Sequence, residues 1–200
     1  MAPAPLTATA VRLRITLKGS KPAIWREVLV PTSMTMQTMH QTIQAAMGWW
    51  DAHLFEFDTG DDRIGEPDPD WDDAPVTAAR GVRLASLLRR GVRRFTYLYD
   101  FGDHWEHLVE VKREIPLLPG EDAPILLAGE RRCPPEDVGS LSGFEEFLEA
   151  MANPKHPEHE AMTTWYGGPF DPADIDAERI NARLAAIARR RQRGRTPGRA

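Results

Sequence analysis

Val11, Leu13, Ile15 and Leu17 alternate with Arg12, Arg14 and Thr16, the period-two pattern of a strand with one buried face. Lys18 to Pro22 reads as a turn, and Ile24 to Val30 as a second strand returning beside the first, stopped by Pro31. The period then changes. Met36, Met39, Ile43, Ala46 and Met47 recur at helical spacing over 35–47, with Ser33 or Thr35 as N-cap and Gly48 at the C-terminal end. Alternation resumes from His53 to Asp58, which puts His53, Phe55 and Phe57 on one predicted face.

A short helix over Leu84–Arg90 leads into the clearest hairpin. Phe95, Tyr97 and Tyr99 share one face of its first strand. Asp100 to His104 supply turn chemistry, and Trp105, His107, Val109 and Val111 share one face of the second strand, opposite Glu110. Residues 115–140 read as a long Pro- and Gly-rich loop. Ser142 with Glu145 forms a capping-box pattern for a helix over 143–151, Pro157 opens another to about Trp165, and 176–191 reads as an amphipathic helix with Ile180, Leu184 and Ile187 inward. Strands come first and helices late, without a strand–helix rhythm. The expected class is therefore α+β: an antiparallel or mixed β-sheet with helices packed on one face and a helical C-terminal part.

Composition divides the chain further. Residues 1–8 are Pro/Ala-rich and expected to be disordered, 9–188 form one domain, and 189–200 form a basic disordered tail. Residues 59–75 concentrate acids and prolines as a solvated loop; prolines and missing helical flanks argue against a calcium loop there. The net charge of −5 hides the tail: removing its six arginine charges leaves about −11 on the rest. One cysteine, Cys133, cannot form an internal disulfide and fits a reducing compartment. No secretory signal pattern and no run of roughly 18 apolar residues is present, so a cytoplasmic protein without membrane attachment is expected.

Several motifs carry candidate chemistry. Asp100-Phe101-Gly102 copies the kinase metal-binding triplet, but the accompanying phosphate loop, strand lysine and catalytic aspartate are missing, so it is read as a hairpin turn. His53 and His107 fall on predicted apolar faces, where an imidazole is neutral and hydrogen-bonded or ligates something. His156 and His159 are three apart with a proline between, which departs from the zinc-protease helix. Cys133, Glu136 and Asp137 lie in a proline-stiffened loop, where the thiol is either a nucleophile or a small buried group. Arg189, Arg190, Arg191, Arg193 and Arg195 are candidate phosphate contacts.

Pro22-Ala23-Ile24-Trp25-Arg26, Gly48-Trp49 with His53-Leu54-Phe55-Glu56-Phe57, Tyr99 to His107, Cys133 to Gly139, and Trp165, Gly168 and Phe170-Asp171-Pro172 recur together here. As a set they resemble the plasmid pRiA4b ORF-3-like family over about residues 10–188. Departures are confined to Gly139-Ser140-Leu141-Ser142-Gly143 and the arginine tail. The resemblance implies an α+β domain of bacterial and archaeal chromosomes and plasmids, and it carries no catalytic assignment. A serine-resolvase pattern of nucleophilic serine, arginine cluster and helix-turn-helix is not found.

Three readings follow. The first is a non-enzymatic binding or accessory module linked to plasmids or mobile elements, without a cofactor, whose partner is nucleic acid through the arginine tail or a protein. The second is a metal-dependent hydrolase, or nuclease-like enzyme, with a divalent metal in a pocket of His53, Asp100, Asp103, His107, Cys133, Glu136 and Asp137. In the third, those residues only satisfy loop backbone while Trp25, Trp105 and Trp165 fill the core.

Overall fold

The N-terminal alternation forms β1 (Thr9–Leu17) and β2 (Trp25–Pro31), paired antiparallel with Leu13 opposite Val28 and Ile15 opposite Arg26. The computed structural model of the protein describes residues 9–67, 75–117 and 123–193. Within them β3 (Phe55–Asp58), β4 (Arg63–Gly65), β5 (Val76–Ala78), β6 (Arg94–Tyr99), β7 (Trp105–Pro116) and β8 (Ile125–Glu130) complete one eight-stranded sheet. Its order is β5-β4-β3-β6-β7-β1-β2-β8, antiparallel throughout except for the β4–β5 pair. β7 joins the two halves: it pairs with β6 through the hairpin and with β1, where Leu17 stands opposite His107.

Pleating sorts the side chains. Leu13, Ile15, Val28, Phe57, Tyr97 and Val109 are fully buried on one face, each large apolar one stabilising the fold by about 1.5–3 kcal/mol. The opposite face is held by ion pairs. Glu27 meets Arg12 and Arg14, Lys18 meets Glu106 at 2.5 Å, and Arg63 meets Glu56 at 2.7 Å.

Helices cover the apolar face. In α1 (Met36–Met47) the Thr35 hydroxyl accepts from the Thr38 amide, and Gly48 ends the helix at φ 95°, a conformation a side chain resists. α2 (Leu84–Arg89) buries Leu84, Leu87 and Leu88. α3 (Ser140–Ala152) buries Phe144 and Phe147, α4 (His159–Tyr166) follows it, and α5 (Ala177–Arg193) inserts Ile180, Leu184 and Ile187. Among the described residues, no helix is long and apolar enough to cross a membrane.

Several elements depart from the sequence expectation. The span 115–140 is not wholly loop: β7 runs on to Pro116, and Ile125–Glu130 pairs with β2 as an edge strand. Likewise the acidic span 59–75 contains β4, while its residues 68–74 lie outside the described residues. α3 starts at Ser140 rather than 143, without a side-chain cap: the Gly143 amide already donates to Gly139 O at 2.9 Å, and a Cβ at Gly143 would lie 2.0 Å from Val138 O. Pro157 precedes α4 rather than sitting in its first turn. α5 continues through Arg193, so Arg189, Arg190, Arg191 and Arg193 are helical rather than part of a disordered tail. Residues 1–8 and Arg195 lie outside the described residues. Trp105 is buried, but Trp165 is half exposed, and the large core indole beside Trp105 is Trp49.

Candidate functional site

Three segments meet at one end of the β6–β7 hairpin: its turn, the residues after α1, and the Cys133–Gly139 loop. In the turn, Asp100 Oδ1 accepts the amides of Gly102 at 2.9 Å and Asp103 at 3.3 Å, the chemistry expected of a short polar side chain in a turn. Its second oxygen, Oδ2, faces His53 Nε2 at 3.5 Å. Asp137 Oδ1 lies 2.9 Å from the same nitrogen, and Glu136 Oε2 lies 4.0 Å away. Donor atoms of His53, Asp100 and Asp137 all fall within 4.8 Å of one another.

Each member is held from behind. The Trp50 amide donates to Glu136 Oε1 at 2.6 Å and the Tyr99 hydroxyl donates to it at 3.1 Å; burial pushes this carboxyl above its ordinary range. Burial also raises the Tyr99 phenol, which stays protonated and receives the Ala52 amide. Asp103 Oδ2 accepts the Gly139 amide at 3.1 Å, tying the loop to the hairpin turn. Asp103 thus positions the loop. Asp100 and Asp137 both have left-handed backbone, at φ 55° and 58°.

His53 sits two residues ahead of β3 rather than on a strand face, and it is partly exposed. His107 does occupy the predicted inward face of β7, fully buried, but in the core: its ring meets Trp49 edge-on at 5.2 Å and Nδ1 faces Tyr97 O at 3.3 Å. Burial pulls its pKa down to about 4, so it is neutral. It does not join the His53 cluster. Cys133 is buried with Sγ 3.2 Å from Met47 Sδ, and burial raises its thiol, so the group is a packed thiol and not an activated nucleophile. His159 Nδ1 donates to Ala150 O at 2.8 Å, and His156 Nδ1 accepts the Glu158 amide, so both rings serve local structure.

Beyond Glu136 lies a cavity of about 410 Å³ whose wall includes Arg26, Arg132, Arg179 and Arg183 against Glu136 and Asp176. Trp50 and Trp165, both large exposed side chains, border it. Arg26 is fully buried. Its guanidinium donates to the carbonyls of Ala46, Trp25, Glu130 and Arg131 and approaches Cys133 Sγ at 3.5 Å, so carbonyl dipoles rather than a carboxylate surround the charge. Arg132 is anchored by Asp174 at 2.6 Å and by the Tyr166 hydroxyl. Arg179 stacks over Trp50 at 4.7 Å. Arg183 donates from Nη2 to Trp49 O, while Nη1 is buried with no acceptor among the described residues. Burial, and then the Arg179 charge one turn away, pull Arg183 below the usual guanidinium range. A second cavity of about 310 Å³ shares Trp50 and Arg183 and adds Arg190.

Of the tail arginines, Arg190 therefore lines a cavity, whereas Arg191 turns to Ser33 Oγ and Ala123 O. Sequence reasoning missed Arg26, Arg132, Arg179 and Arg183 as site residues, although Arg26 shares the apolar parity of Ile24, Val28 and Val30 in the predicted second strand. Arg179 and Arg183, four apart in a predicted helix, also carried a signal, as a like-charged pair on one face.

The sheet, its one-sided helical cover and a charged site assembled from loops at the hairpin end define an α+β domain whose chemistry lies at its rim. The family model of the plasmid pRiA4b ORF-3-like proteins matches residues 9–179, and the chain belongs to that family. It is 40% identical over 184 residues to the uncharacterized protein y4hQ of Sinorhizobium fredii (strain NBRC 101917 / NGR234), covering 92% of this chain and 94% of the relative. Its fold is similar to the crystal structure of a protein of unknown function, MM3350 from Methanosarcina mazei Go1, with TM-score 0.78 and 33% identity over 86% of this chain and 97% of that one.

Proposed function

We propose that this protein is a non-enzymatic cytoplasmic binding module for a nucleotide unit, serving an accessory role on plasmids or mobile elements. The carrying observation is that Arg179 and Arg183 line one cavity with two exposed indoles, where Arg183 Nη1 is buried with no acceptor among the described residues. Guanidinium forks match phosphate oxygens, and a base stacks on an indole face in a sequence-tolerant way. An anion here would relieve the repulsion between Arg179 and Arg183 and give Nη1 its acceptor. The volume suits one nucleotide. The adjoining cavity, through Trp50, Arg183 and Arg190, offers a path for a second phosphate, so the unit belongs either to a free nucleotide or to a single strand.

Titration calorimetry with AMP and ATP in one arm, and fluorescence anisotropy with labelled oligo-dT in the other, separates these sources. Saturable binding that Arg183→Gln and Trp50→Ala each weaken about tenfold is expected. A single strand predicts that Arg190→Gln also weakens binding and flattens its salt dependence. No binding in either arm at millimolar ligand, or binding indifferent to Arg183→Gln, would overturn the proposal.

A further inference from the structure

The geometry points to a divalent transition-metal site formed by His53 Nε2, Asp100 Oδ2 and Asp137 Oδ1, with Glu136 on its fourth side. It stands apart from the nucleotide reading, because none of these three residues lines the arginine cavity; Glu136 alone is shared.

Charge supplies the first argument. Three carboxylates surround a single imidazole nitrogen at 2.9, 3.5 and 4.0 Å. That nitrogen can present only one N–H, so Asp100 Oδ2 and Asp137 Oδ1 compete for a single imidazole donor. A divalent cation would cancel the charges of Asp100 and Asp137, while Glu136 keeps the Trp50 amide and the Tyr99 hydroxyl as its donors. Arginine is not at hand for this purpose, since no guanidinium contact to Asp100 or Asp137 occurs among the described residues.

Spacing supplies the second. Zinc holds nitrogen and carboxylate oxygen at about 2.0–2.2 Å, which sets donor atoms roughly 3–3.5 Å apart in a tetrahedron. Donor atoms that already lie within 4.8 Å of one another need only small side-chain rotations to close on one ion.

Preorganisation supplies the third. Asp100 has a nine-tenths buried side chain whose Oδ1 is consumed by two turn amides, which aims the remaining oxygen at the cluster. A carboxylate on a nine-tenths buried side chain beside an imidazole and the Asp137 carboxylate is costly unless a cation receives it. The His53 ring is braced edge-on against Tyr99 at 5.8 Å, and the Asp137 loop is tied down through Asp103 and Gly139. Imidazole plus carboxylate selects zinc or manganese over magnesium or calcium, and zinc binds the tighter of the first two.

The test uses the untagged full-length chain, stripped with EDTA and dialysed, in calorimetric titrations with ZnCl2, MnCl2 and MgCl2. One zinc per chain is expected, with manganese weaker and magnesium weakest. His53→Ala and Asp137→Asn should each weaken zinc binding at least tenfold with unchanged circular dichroism. Asp100→Asn should do the same; if that variant does not fold, the other two decide. Cobalt substitution should give visible d–d bands that His53→Ala abolishes. Absence of saturable zinc binding, or equal binding by wild type and both His53→Ala and Asp137→Asn, would sink the site and leave the nucleotide reading untouched.

Discussion

Tyr97 Oη lies 2.7 Å from His40 Nδ1, and that contact closes a ring of hydrogen bonds inside the protein. The Asp51 amide donates to Gln44 Oε1 at 2.9 Å, which orients the Gln44 amide so that Nε2 donates to Tyr97 Oη at 3.0 Å. The phenol then donates to His40 Nδ1, and His40 Nε2–H donates to Asp51 Oδ1 at 2.5 Å. The ring joins α1 to β6 and fixes Asp51, next to the cavity indole Trp50. Tyr97→Phe deletes its central hydroxyl and leaves two buried groups unpaired. A loss of about 1–3 kcal/mol is expected in urea unfolding. A loss below about 0.5 kcal/mol would mean the ring contributes nothing as a unit.

Stability should fall on mild acidification. His107 has a folded pKa of about 4, below the 6.5 of the unfolded chain, because burial penalises its charged form. Between those values the unfolded state binds the proton and the folded state does not, so unfolding gains ground as pH drops from about 6.5 toward 4 and the effect levels off below. His40, lowered chiefly by burial, acts in the same direction. The His107 share is of order 3 kcal/mol. Urea midpoints at pH 7, 5.5 and 4.5 measure it, and His107→Phe should flatten the slope.

Cys133 should react slowly with a thiol reagent. Its Sγ is buried between Met47 and Arg26, and burial raises the thiol despite the two neighbouring guanidinium groups. Modification of the native chain should track local opening, at least a hundredfold slower than in denaturant. Rapid stoichiometric labelling at neutral pH would restore the nucleophile reading.

Glu136 divides the two halves of the site. Glu136→Gln removes a negative charge from the wall of an arginine-lined cavity and from the flank of the His53 cluster. Nucleotide affinity should rise about three- to tenfold while zinc affinity falls. Parallel titrations check both directions, and movement of both affinities in the same direction would contradict the division.

Much of this architecture was legible locally. The alternation through Leu13 and Ile15, the Met36–Met47 stripe with its Thr35 and Gly48 caps, and the hairpin around Asp100 were all readable because strand and helix periods are short-range properties. β8 was not: Ile125 to Glu130 has too little alternation to announce a strand and becomes one by pairing with β2. His53 was misread for a related reason, since continuing the Phe55–Phe57 alternation backwards extended the strand past its true start.

For the site, the chain by itself settled which residue types stand in the hairpin turn and in the Cys133–Gly139 loop, and hence that carboxylates, a thiol and imidazoles would be near chemistry-bearing loops. Tertiary structure decided the company each keeps. It sent His107 into the core, tucked Cys133 behind Arg26, and brought Asp137 to Asp100 and His53 across long loops. It also turned four arginines scattered between positions 26 and 183 onto one cavity. Local periodicity encodes which face a side chain takes, but proximity between distant segments depends on sheet order, and the pairing of β7 with β1 is a long-range contact that no local pattern specifies.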